Sequence, residues 1–182
     1  MIKAILEKTI QNKSIIGIRT ISQEVGESII GFIVKFDESS FTINEIDEFG
    51  FFIGYTIIEI ENIINIDVND RYLRRLMFIH NNSKNFNINE RITVWKEGFK
   101  LLPLLKEIKK DKKITTFYFN EDEYVVGYIL RIEYEQIEVN NIGREGDEDG
   151  ISYHFINNLI GLRFDSLEEQ KIKLLYENRA MF

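Results

Sequence analysis

The densest set of ionisable groups lies in REGDEDG, residues 144–150, where Glu145, Asp147, Glu148 and Asp149 crowd together. A calcium-binding EF-hand loop needs oxygen ligands at alternating positions and a bidentate Glu at its end. This segment has neither the spacing nor the distal Glu, and it reads as a solvated hairpin turn. The two histidines, His80 and His154, lack the partners that chemistry requires. There is no His-x-x-x-His spacing for a metal and no Ser-His-Asp order for a nucleophile, so both are expected to be structural. The absence of cysteine removes thiol nucleophiles, disulfides and zinc-thiolate sites together. Carboxylate pairs abound among 30 Asp and Glu and single out nothing. Neither Gly26 nor Gly161 belongs to a phosphate-cradling glycine pattern. The expectation is a chain with no catalytic residues, no metal site and no cofactor.

Residues that could bind a partner are easier to find. Arg71, Arg74 and Arg75 share one helical turn, and Lys106, Lys109, Lys110, Lys112 and Lys113 end another predicted helix. Cations at a helix C-terminus offset its macrodipole, which accounts for the lysines without a ligand; an RNA or anion patch is the alternative. Phe51 and Phe52 form an aromatic pair at a strand-connecting tip, placed either to fill an interface between domains or to contact a partner. Asn62 and Asn158 fall in polar breaks between the last predicted strands and complete the candidate set.

Composition bounds the rest. A chain of 182 residues with 44% hydrophobic content, 14 Phe and 8 Tyr can bury a core, as one large domain or two small ones. The longest apolar runs are strand-length, so no membrane span is expected, and MIKAILEKTIQNK does not read as a signal peptide. The net charge is −7, and residues 1–80 (8 Lys and Arg against 12 Asp and Glu) and 81–182 (15 against 18) share it. Such a surface disfavours phosphate backbones unless a local basic patch outweighs it.

The elements that must position these residues occur twice. IIGFIVKFD, residues 29–37, returns as VVGYILRIE, residues 125–133, and a shift of 96 positions aligns the two halves without a gap. Gly31, Gly50 and Gly54 fall on Gly127, Gly146 and Gly150, and Asn44 and Asn62 on Asn140 and Asn158. Glycines in register mark backbone geometry rather than composition. Each copy reads as strands: 15–21 and 114–120, then the opening strand, then SFTINEI and EQIEVNNI, then YTIIEIENIINIDV and ISYHFINNLIGLRF. In the opening strand Ile30, Phe32, Val34 and Phe36 are expected on one face, as are Val126, Tyr128, Leu130 and Ile132. Gly31 and Gly127 sit where the strand bends through a small barrel and needs no side chain. Helices are expected before each copy, over Ile2–Ile10 and from Trp95 through Phe99 to Ile108, the latter interrupted at Gly98 and Pro103. Others follow each copy, opened by Asn69-Asp70 and by a Ser166/Glu169 capping box. The polar stretch 81–91 reads as a linker between domains 1–80 and 92–182.

A helix followed by five bent strands resembles the Sm-like small barrels. GFIVKFDESSFTI (31–43) is similar to the family's first motif, and IEIENIINI (58–66) to its closing motif. The resemblance implies a mainly β fold with flanking α-helices, two tandem Sm-like or SH3-like small barrels related by an internal repeat. It also implies RNA binding, which the residues do not support. Ser40 and Gln136 stand nearest the family's base-contacting Asn, and Glu61-Asn62 and Asn157-Asn158 replace its basic closing turn. The expected function is therefore that of a non-catalytic cytoplasmic bacterial protein acting on a protein partner, a basic one suiting its acidic surface, as an inhibitor, immunity or adaptor protein. The alternative is an Sm-like RNA binder. The chain is expected as a monomer or small homo-oligomer.

Overall fold

The computed structural model describes residues 2–22, 27–95, 100–120 and 122–182. Gly26, Gly98 and Phe99 lie outside them. The fold is mainly β, with two antiparallel sheets and flanking helices, and it divides into one unit of residues 1–84 with Phe182 and another of 85–181.

The first unit runs α1 (Ile2–Asn12), β1 (Ile15–Thr20), β2 (Ile29–Phe36), β3 (Ser40–Ile46), β4 (Phe52–Glu59), β5 (Ile63–Val68) and α2 (Arg71–Asn82). Its strand order is β4-β3-β2-β1-β5. The two edge strands, β4 and β5, are joined only by the 3₁₀ turn Ile60–Asn62. Five flat strands would hold their outer pair about 19 Å apart, whereas three residues span about 10 Å. The sheet must therefore curl strongly. It does not close, since no ladder joins β4 to β5, and the expected closed barrel is corrected to an open, curled sheet.

The second unit comprises β6 (Ile92–Trp95), α3 (Leu101–Lys110), β7 (Thr115–Tyr118), β8 (Tyr124–Glu133), β9 (Gln136–Ile142), β10 (Glu148–Phe155), β11 (Gly161–Phe164) and α4 (Leu167–Glu177). Its order is β10-β9-β8-β7-β11-β6, also open. Trp95, expected in a helix, ends β6, which pairs with β11. The indole ring occupies the space a side chain at Gly161 would need: a Cβ there would lie 2.4 Å from it. Tertiary pairing overrides the helical spacing at this point.

Glycine geometry repeats between the units. A Cβ on Gly31 would lie 2.1 Å from the Asn44 carbonyl oxygen, and one on Gly127 2.0 Å from that of Asn140. Just beyond each glycine the ladder carries a bulge, between Ile33 and Lys35 in β2 and between Ile129 and Arg131 in β8. The extra residue breaks the two-residue alternation. As a result Ile33 and Ile129 point into the core, while Val34 and Leu130, expected to share the face of Phe32 and Tyr128, are exposed.

The helices before β1 and β7 pack into the cores of their sheets. Leu6 of α1 packs with Ile16, Ile18, Ile33, Phe41 and Ile43, and Leu101, Leu105 and Ile108 of α3 with Phe117, Ile129, Ile137 and Val139. The following helices are capped as the sequence predicts. Asp70 accepts from the Leu73 N–H at 2.7 Å, and Ser166 and Glu169 form a capping box. Part of the polar stretch is helical, since α2 extends to Asn82 and a 3₁₀ turn continues to Asn85.

Candidate functional site

The sheet edges carry the most unusual chemistry. No strand pairs with the outer edge of β4 or of β10 among the described residues, so both present unpaired backbone donors and acceptors. Edge strands are commonly blunted with charge or proline. These instead carry apolar stripes at two-residue spacing: Ile53, Tyr55 (70% exposed) and Ile57 (71%) on β4, and Ile151, Tyr153 (65%) and Phe155 on β10. The opposite face anchors each strand. Ile58 is buried, Thr56 bonds Glu45, and His154 stacks on Phe119 at 4.3 Å. One strand inward the exposed face turns polar: Asn44 lies opposite Tyr55 and Thr42 opposite Ile57, and Glu138 lies opposite Tyr153. An apolar strand with a free backbone edge and a polar border suits strand addition by a protein partner.

The far edges differ. β11 is covered by β6, whereas the corresponding edge of β5 has no strand partner among the described residues and exposes Ile64 and Val68.

The residues predicted from sequence scatter. Phe52 opens β4, its ring 6.0 Å from Phe32 and 5.0 Å from His80 within the first unit. Phe51 is half-buried, and its N–H donates to Asp47. Asn62 and Asn158 end the two 3₁₀ turns, and Asn62 donates to Glu59. Arg71 and Arg74 are exposed, but Arg75 is 5% exposed, its guanidinium 5.9 Å from the Phe182 ring. It belongs to the packing rather than to a surface basic patch. Sequence reasoning missed the stripes of β4 and β10, because apolar residues at period two look the same on a core strand and on a free edge.

The histidines and the acidic segment make local hydrogen bonds. His80 Nδ1 donates to the Gly50 carbonyl at 2.7 Å. Ser152 and His154 do meet, with Oγ to Nε2 at 2.7 Å, but the Ser152 hydroxyl donates to Asn141 Oδ1 at 2.8 Å. The imidazole nitrogen thus serves as a donor to Ser152, the reverse of a base activating a nucleophile. Burial holds the His154 pKa below its ordinary value, opposed by the charge of Glu123. The acidic segment 144–150 forms a turn into β10, with Gly146 at φ 76° and Glu148 accepting from Tyr176 and Arg179. Among the described residues no group of three or more His, Cys, Asp and Glu is arranged to hold a metal, and no helix is long and apolar enough to cross a membrane.

Comparison with protein-family models, curated proteins and solved structures finds no match.

Proposed function

We propose that this chain is a non-catalytic, cytoplasmic bacterial protein that binds a protein partner by strand addition at β4 and β10. Its architecture is taken as two tandem Sm-like or SH3-like units, 1–80 and 92–182, related by an internal repeat and joined by 81–91. The observation that carries the function is the pair of apolar stripes on free edges, Ile53-Tyr55-Ile57 and Ile151-Tyr153-Phe155. The repeat is supported by the matching strand orders and bulges. The net charge of −7 favours a basic partner through steering. The test is capture from host extract with wild-type chain and with the edge variants Tyr55→Lys/Ile57→Lys and Tyr153→Lys. A partner retained by wild type and by Lys110→Glu, but weakened at least tenfold by an edge variant, is the expected result. No specific capture, or equal capture by the edge variants, overturns the reading.

RNA binding is the second reading, favoured by Lys106, Lys109, Lys110 and Lys112, all exposed on or just after α3. Phosphate contacts weaken steeply with salt, so affinities for uridine-rich and adenine-rich RNA at two salt concentrations test it. Absence of affinity tighter than about 10⁻⁴ M eliminates it. A mass measurement in the same buffers tests the expected monomer or small homo-oligomer.

A further inference from the structure

In the first unit a cleft of about 590 Å³ opens between α1 and α2. One face of α1 lines it at helical spacing with Ile5, Lys8, Thr9 and Asn12, and α2 contributes Leu73, Arg74 and Met77. Ile15 and Val68 complete an aliphatic lining, Ser14 and Asn69 add polar groups, and no aromatic residue takes part. No carboxylate lines the cleft, although the chain carries 30 acids. Lys8 and Arg74 are both exposed at it, and Arg74 Nη1 donates to the Asn69 carbonyl at 2.7 Å, which fixes the guanidinium and leaves further donors. A volume in this range suits a small molecule.

The second unit closes the matching place. Ser14 stands two residues before Ile16, which pairs with Gly31; Lys113 stands two before Thr115, which pairs with Gly127. Lys113 reaches Asp165, the counterpart of Asn69, at 2.5 Å and lies over the Phe164 ring. Gln170, the counterpart of Arg74, exchanges two hydrogen bonds with the backbone of Asn87, which covers it. Among the described residues the first unit has neither the ion pair nor the cover.

We propose that the cleft between α1 and α2 binds a small aliphatic carboxylate, its chain on Ile5, Leu73 and Met77 and its head between Lys8 and Arg74. The Arg fork matches carboxylate geometry, and an aliphatic lining without aromatic faces matches an acyl chain rather than a nucleobase. Decanoate is the probe, with decyl phosphate, decanol and decylamine carrying the same chain under different heads, titrated into the full chain by calorimetry. Decanoate is expected to bind saturably, at least tenfold more tightly than decanol or decyl phosphate, with no heat from decylamine. Lys8→Glu/Arg74→Glu, on exposed positions, is expected to weaken it at least tenfold with an unchanged circular dichroism spectrum. Ser14→Lys/Asn69→Asp, which copies the ion pair of the second unit, is expected to do the same by closing the cleft. Absence of saturable decanoate binding, equal affinity for decanol, or unchanged binding in both variants overturns the proposal. Tighter binding of decyl phosphate reassigns the head and overturns the carboxylate.

Discussion

Under α2 of the first unit, Gly17, Asp67 and Leu73 are neighbours; under α4 of the second, the matching positions hold Thr116, Arg163 and Glu169. Glu169 is 2% exposed and accepts from Thr116 at 2.6 Å, from Arg163 at 2.9 Å, and from the Ser166 N–H and hydroxyl. A carboxylate so enclosed is tolerable only because it is paired and hydrogen-bonded. The first unit places an apolar side chain there and leaves an open cleft beside it. Two frames that share the order of five strands, the bulges and the αL residues before the helices (Asn69 at φ 57°, Asp165 at φ 62°) thus hold opposite chemistry. Backbone geometry constrains the glycines and caps tightly, while the space between helix and sheet can be filled in more than one way.

Breaking the network should give the largest effect. Glu169→Leu, which copies the first unit, strands Arg163 and Thr116 and is expected to cost about 3–5 kcal/mol by urea denaturation. The rescue Glu169→Leu/Arg163→Asp/Thr116→Gly, which completes the copy, should recover part of that loss. If the single change is neutral, the network does not hold the unit together.

Next come the shared glycines. Gly31→Ala and Gly127→Ala drive a methyl group against a carbonyl oxygen in either sheet. Each is expected to cost about 1–3 kcal/mol, as overpacking does, and to similar extents. Gly54→Ala, where nothing lies within 4 Å, tests φ strain without a clash and should cost less. Unequal losses at 31 and 127 would show that the two frames are less alike than their ladders.

Alkaline titration separates the units further. Tyr128, packed at 5.6 Å from Tyr176, has its pKa pushed up to about 12 by burial, with Glu177 and Tyr176 adding to the shift. The matching pair in the first unit is Phe32 and His80, at 4.9 Å. Unfolded tyrosine ionises near pH 10, so the folded state holds the extra proton between about 10 and 12. Stability should be complete below pH 10 and fall as pH rises through that window. Tyr128→Phe should flatten the fall, read as the change in denaturation midpoint with pH.

The smallest effect is expected at the acid end. The Ser39 and Ser40 N–H groups, then the Ser39 hydroxyl, hold the exposed Asp37 carboxyl down at about 2. Its stabilising contribution should be complete above about pH 4 and lost as pH falls toward 2. Asp37→Asn should remove that dependence. The second unit has Glu133 at the matching position, paired with Arg131 at 3.2 Å. An Asp37 carboxyl resonance titrating near 4 would remove the distinction.

What the sequence determined by itself is what neighbouring residues decide among themselves. The Asp70 cap, the Ser166/Glu169 capping box and the glycine-containing turns at 50 and 146 each depend on a few consecutive positions, and all stand where the pattern put them. Gly31 and Gly127 were legible as places of a bend, whereas the crowding by a carbonyl oxygen is supplied by the ladder. The tertiary structure decided the rest, because each remaining feature depends on what another strand or helix brings to it. The bulges turn Val34 and Leu130 outward only once β3 and β9 pair. β6 is a strand only because β11 accepts it, Arg75 is buried by its surroundings, and the apolar stripes are exposed only because β4 and β10 end their sheets. The cleft exists only because α1 and α2 leave a gap that Lys113, Asp165 and Asn87 fill in the other unit.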